Sequence, residues 1–216
     1  YTRDSLGRIT RKSESIAGVA ATSDYTYDSA GRLASGPGGT YAYDSNGNRS
    51  PGVYDDQDRL LSFGASTYSY NANGDLKEKT TTSTTTLTTT YEYAALGNLV
   101  MAGLFDGTRI DYAIDGFNRR VAKRVNGTLV QGFLYESQLR IAAELDGAGN
   151  VVSRFVYATQ ANVPDVVQKG GATYRLLHDH LGSVRVVVNT ATGAVAQRLD
   201  YDDRGRVTLD TAPGFQ

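Results

Sequence analysis

A five-residue signature, Tyr-Asp-x-x-Gly, returns along the chain and constrains the fold more than any single residue. Its clear copies are Tyr27-Asp28-Ser29-Ala30-Gly31, Tyr43-Asp44-Ser45-Asn46-Gly47 and Tyr201-Asp202-Asp203-Arg204-Gly205. Weaker copies are built on Tyr54, on Tyr70 with Gly74 and on Tyr93 with Gly97, while Arg3-Asp4-Ser5-Leu6-Gly7 opens the sequence in the same phase. Spacings of roughly 16 to 23 residues indicate one supersecondary unit stacked many times. Each copy reads as strand, turn, strand. Tyrosines two apart, as in Tyr25-Thr26-Tyr27 and Tyr41-Ala42-Tyr43, share one face of an extended strand. The Asp or Asn that follows folds back onto a backbone N–H two residues on, and the later glycine supplies the positive φ of a tight turn.

After the turn, Arg32-Leu33, Arg59-Leu60 and Arg206-Val207 start a return strand with a polar and then an apolar residue. That alternation suits antiparallel strands with one covered face. Later units drop the signature and keep the hairpin, as at Val125-Asn126-Gly127-Thr128 and Leu145-Asp146-Gly147-Ala148-Gly149-Asn150-Val151. The threonine-rich tract from Thr80 to Thr90 runs into Tyr91-Glu92-Tyr93, and its β-branched residues predict an exposed strand pair. The expectation is an all-β fold: antiparallel β-hairpins repeated in one twisted, spiralling sheet over residues 1–216, with no helix of ordinary length. With 15 tyrosines and no tryptophan, its covered surface is expected to be mixed and the tyrosines to form a ladder on one face.

Having 22 basic and 23 acidic residues, the chain carries no charge excess that would point to nucleic acid or an anionic membrane. No apolar run is long enough to span a bilayer. The absence of cysteine removes disulfides, thiolate catalysis and thiolate-bound metals. Two Asn-x-Ser/Thr sequons, at Asn48 and Asn126, matter only in a glycosylating pathway. Because the pattern is in phase at both ends, we read the chain as a stretch of a longer array.

The motif Tyr-Asp-x-x-Gly-Arg-Leu resembles the YD repeat of the Rhs family, which is related to toxin-complex shell proteins and teneurins. Leu177-His178-Asp179-His180-Leu181-Gly182-Ser183-Val184-Arg185, followed by Leu199-Asp200-Tyr201-Asp202, resembles the stretch just before the Rhs core end. The resemblance implies a segment of a hollow β-shell that encloses or presents a C-terminal toxin domain, secreted or at the cell surface. It also implies flanking repeats and that toxin domain as partners, with self-association through open sheet edges. The self-cleaving Asp-Pro region of many bacterial members has no counterpart in this sequence, which contains no Asp-Pro. No enzymatic activity and no cofactor are expected; an adhesive or carbohydrate-binding fibre and a hydrolase are the rival readings.

Tyr27, Asp28, Gly31, Tyr43, Asp44, Gly47, Tyr70, Gly74, Tyr93, Gly97, Tyr201, Asp202 and Gly205 are taken as structural repeat turns. His178 and His180 are weak metal candidates, since on a strand both imidazoles would face one side, but the sequence has no third histidine. The Gly147–Gly149 stretch lacks the third glycine of a dinucleotide loop, and the Asp44 turn lacks the glutamate that completes a calcium loop.

Overall fold

The computed structural model describes residues 1–16 and 18–215. Strand accounts for 56% of the chain and, among the described residues, no helix forms. Two compact units are present: Tyr1–Gly64 with Asp200–Leu209, and Ala65–Leu199 with Asp210–Gln216.

In the second unit the strands run Ser66–Tyr70, Leu76–Thr82, Thr86–Tyr93, Leu99–Gly103, Arg109–Ile114, Arg120–Val125, Thr128–Tyr135, Ile141–Asp146, Val151–Val156, Val166–Lys169, Ala172–His178 and Val184–Asn189. Each is antiparallel to the next, and they form the continuous middle of a 16-stranded sheet whose order follows the chain and does not close into a barrel. Every strand pairing of this sheet is therefore between neighbours in sequence, as hairpin turns spaced this closely require. The threonine tract forms the expected pair, Leu76–Thr82 against Thr86–Tyr93, turning at Ser83.

Alternation along these strands covers one face only. Val167, Leu176 and Val187, at 4%, 7% and 2% exposure, form its core, with Phe155, Tyr174, Val184, Ala196 and Phe215 packed around them. Phe215 reaches this face because the chain returns across the sheet after the last hairpin: buried Gln197 donates to Asp210 Oδ1 at 2.9 Å and to the Ala212 carbonyl at 3.2 Å.

The first unit uses the same hairpins, and apart from Ile9–Ile16 and Val19–Asp24 its strands are only two to four residues long. Thr2–Arg3, Ile9–Ile16 and Val19–Asp24 form one sheet; Thr26–Tyr27, Leu33–Gly36 and Gly39–Thr40 form a second; Ala42–Tyr43 pairs with Arg49–Ser50.

Candidate functional site

The recurring turn is the best-defined chemical unit of the molecule. At Asp28 the backbone N–H donates to the Arg32 carbonyl at 2.9 Å and the Gly31 N–H donates back to the Asp28 carbonyl at 3.0 Å. The same pair of bonds recurs in the turns that open at Asp4, Asp44, Asn71, Ala94, Asp179 and Asp202. Gly31, Gly47, Gly74, Gly97 and Gly205 lie at φ between 79° and 89°, the left-handed region that only glycine enters without strain. One residue more on the return side than on the outgoing side shifts the register beside the tyrosine, so Tyr27 pairs with Leu33, Tyr70 with Leu76 and Tyr93 with Leu99.

The aspartate does more than the single local bond expected from sequence. Asp28 Oδ1 accepts from the Ala30 and Arg32 amides at 3.0 and 2.9 Å, and Oδ2 accepts from Arg32 Nε at 2.7 Å. The Arg32 amide, and then its guanidinium, hold the Asp28 carboxyl below its ordinary range. Asp115 and Arg119 repeat the ion pair at 2.7 Å.

These arginines also reach the next repeat. Arg8, paired with Asp4, lies 4.6 Å from the centre of the Tyr27 ring, and the Tyr27 hydroxyl donates to the Ile9 carbonyl at 2.8 Å. Arg32 and Tyr43 repeat this at 4.5 Å, with the Tyr43 hydroxyl 2.9 Å from the Leu33 carbonyl. In the second unit, Arg119 with Tyr135 and Arg140 with Tyr157 do the same, the hydroxyls donating to the Arg120 and Ile141 carbonyls. The Arg8, Arg32 and Arg119 guanidinia are thus held between their own carboxylates and the following tyrosine, a charge-assisted hydrogen bond on one side and a cation–π contact on the other, whereas Arg140 lies 4.0 Å from Glu136 and donates to the Ala161 carbonyl. The tyrosines of these repeats pack on arginine where a ring-on-ring ladder was expected.

Two further features belong to the second unit. A hollow of about 310 Å³ opens on the covered sheet face between Phe133, Phe155, Val167, Leu176, Val187 and Phe215, with Glu144 and Lys169 among its polar groups. Beside it, buried Asp165 closes the loop before Val166: its carboxylate accepts from the Thr159 hydroxyl at 2.6 Å, from the Thr159 and Ala158 amides at 2.7 Å each, and pairs with Arg175 at 3.3 Å. Those donors, the Thr159 hydroxyl foremost, lower its pKa to about 2.

The sequence candidates for other chemistry are not assembled into a site. His178 ends the strand Ala172–His178, whereas His180 lies in the following turn, so the two do not share a strand face as expected. His178 Nε2 is buried without a hydrogen-bond partner, and among the described residues no three His, Cys, Asp or Glu side chains converge on a metal position. Asp44 spends Oδ1 on the Asn46 and Asn48 amides, and Asp146 caps a repeat turn through the Ala148 and Asn150 amides.

Sequence reading missed the turn Asp115-Gly116-Phe117-Asn118-Arg119, where Asn118 takes the glycine place at φ 65°, and ranked the Asp55 turn as degraded although Asp58 fills that place at φ 60°. The findable signal was the arginine one residue after the glycine position, Arg59 and Arg119, because it completes the ion pair with the turn's first residue.

Hairpins in strict order, several of them keyed to the next by an acid, an arginine and a tyrosine, define a repeat-built β-scaffold. The family model described as the Teneurin YD-shell matches residues 1–216, and the chain belongs to that structural family. Among solved structures, a chain of the TcdB2-TccC3 complex is 11% identical, with 97% of this chain and 20% of that one covered at a TM-score of 0.42. A chain of the Photorhabdus luminescens Tc holotoxin pore is 15% identical, with 97% and 15% covered at 0.33, and a porin-like protein from Bacteroides uniformis is 16% identical, with 93% and 92% covered at 0.30. The chain thus spans about a fifth of the length of the TcdB2-TccC3 chain.

Proposed function

We propose that this chain is a wall segment of a secreted or cell-surface YD-shell protein, and that the wall encloses or presents another domain of the same polypeptide. The observation that carries the reading is the lock between successive repeats, in a chain matched by the YD-shell family over its whole length. A wall needs each hairpin fixed to its neighbours and needs no assembled reactive group. Arg8 and Arg32 each occupy a face of Tyr27 and Tyr43. That leaves less open ring surface for sugar stacking and weighs against the adhesive fibre.

Limited proteolysis of the parent polypeptide tests the proposal. A domain held inside the wall stays resistant under native conditions and becomes cleavable when the repeats are opened with denaturant. Cleavage of every other domain at the rate of its free form would overturn enclosure.

A further inference from the structure

Asparagine precedes glycine at Asn46-Gly47, Asn73-Gly74 and Asn126-Gly127. Glycine has no side chain to shield its amide nitrogen, so at these pairs that nitrogen can attack the preceding side-chain amide. By sequence the pairs are equivalent. Their hydrogen bonds separate them.

At the first two the glycine nitrogen is committed. The Gly47 N–H donates to the Asp44 carbonyl and the Gly74 N–H to the Asn71 carbonyl, each at 3.1 Å, closing the repeat turn. Asn46 is tied down as well, its Nδ2 donating to Asp58 Oδ1 at 3.0 Å. Attack at either pair requires the turn bond to break before the nitrogen can lose its proton and swing toward the side-chain carbon.

Asn126-Gly127 is the two-residue tip between the strands Arg120–Val125 and Thr128–Tyr135, with φ of 48° and 82°. Here the glycine N–H meets no acceptor among the described residues, and the position of a Cβ on Gly127 lies in open space. Asn126 is held instead through Arg109: the Asn126 N–H donates to the Arg109 carbonyl, and Asn126 Oδ1 accepts from the Arg109 N–H, both at 2.8 Å. The Arg109 N–H polarises the side-chain carbonyl and already points at the oxygen on which negative charge develops during attack, as an oxyanion-binding amide does. An uncommitted nucleophile and a polarised carbonyl thus adjoin at an exposed tip.

We propose that Asn126 is a self-modification site, where the chain closes to a succinimide and reopens as aspartate or isoaspartate. The Gly127 nitrogen gives its proton to water or hydroxide and bonds to Asn126 Cγ. The Cγ–Nδ2 bond breaks, and Nδ2 takes up a proton and leaves as ammonia. Water then opens the ring. Addition at the side-chain carbonyl yields an ordinary aspartate, whereas addition at the main-chain carbonyl routes the backbone through Cγ and lengthens it by a methylene. The lengthened tip no longer matches the register that sets Val125 opposite Thr128.

Peptide mapping by mass spectrometry tests this on the purified 216-residue chain, incubated at mildly alkaline pH either folded or unfolded in urea. In the folded chain Asn126 should convert to the acid faster than Asn46 and Asn73 by about fivefold or more, the factor that one net backbone hydrogen bond supplies. In urea the pairs should convert at similar rates. The peptide carrying position 126 should also accept methyl groups from an isoaspartyl methyltransferase, which marks the ring-opened isomer. Conversion at Asn46 or Asn73 that keeps pace in the folded chain would overturn the proposal. So would an Asn126 that stays an amide while the unfolded chain converts, a preference for Asn126 that survives in urea, or conversion that leaves no isoaspartate.

Discussion

Arg32 stands between Asp28 and Tyr43, its Nε 2.7 Å from the Asp28 carboxylate and its guanidinium carbon 4.5 Å from the centre of the Tyr43 ring. Asp28 and Arg32 belong to one turn and Tyr43 to the next repeat, so the interaction that shapes a turn also fixes the spacing between turns. An arginine is suited to this because its planar, always charged head can donate in its plane and stack on its face at once.

Removing the stacked head while keeping the charge should therefore fail to restore stability. Arg32→Lys is expected to lose about 1 kcal/mol and to behave nearly as Arg32→Ala in urea denaturation. Tyr43→Phe keeps the ring and loses the hydroxyl bond to the Leu33 carbonyl, also about 1 kcal/mol. A double variant Arg32→Ala/Tyr43→Ala whose loss equals the sum of the two single alanine losses would show that Arg32 and the Tyr43 ring act independently.

Backbone conformation and close approach separate at two glycines. Gly74, at φ 87°, has open space around the position of a Cβ, so Gly74→Val should cost at least about 1 kcal/mol through backbone strain alone. At Gly147 the obstacle is the Leu129 carbonyl, which a Cβ would overlap. Gly147→Ala should then destabilise more than Gly74→Ala, and equal melting temperatures for those two would contradict it.

Asp165 gives a pH signature. Its carboxyl titrates near 2 in the folded chain against an ordinary value of 3.8, so folding favours the ionised form. The stability this contributes is complete above the ordinary value and is lost as pH falls toward about 2. Asp165→Asn should lower the melting temperature at neutral pH and converge with the parent chain in acid. A constant gap between the two across that range would refute the assignment.

Phe215 stands edge-on to Tyr174 at 4.9 Å and lies beneath the Lys169 ammonium at 5.6 Å. Phe215→Ala should cost about 2 kcal/mol, the value for a partly buried aromatic ring. It should also enlarge the hollow beside Leu176 and Val187, read as increased binding of an apolar fluorophore.

The hairpins were legible in the sequence because their determinants are local: an acceptor at the head of the turn, a glycine three residues on, and tyrosines two apart before it. The threonine tract paired as its β-branched composition required. Partners from the next repeat were less visible. Arg32 looked like the polar start of a return strand, and its second contact with Tyr43 depends on the distance between repeats. The Asp115 turn escaped notice because Asn118 can adopt the left-handed conformation in place of glycine. His178 and His180 look equivalent two apart on a strand, but Asp179 opens a turn between them and they separate.

The lock also decides where this architecture can be cut and rejoined. A module running from one tyrosine to the residue before the next carries its own acid and arginine, yet its leading ring rests on the arginine of the module upstream. Modules are interchangeable only where that upstream position is conserved in kind. After the Asn71 turn the position is held by Asp75, whose carboxylate faces Asn71 and whose charge, after burial, helps raise the Tyr93 hydroxyl pKa. A module that follows Asp75 has to begin with a ring tolerant of a neighbouring anion, whereas one that follows Arg32 has to offer its face to a cation. Shuffling hairpins in a laboratory, or by recombination between genes, is thus governed by a grammar of adjacent pairs.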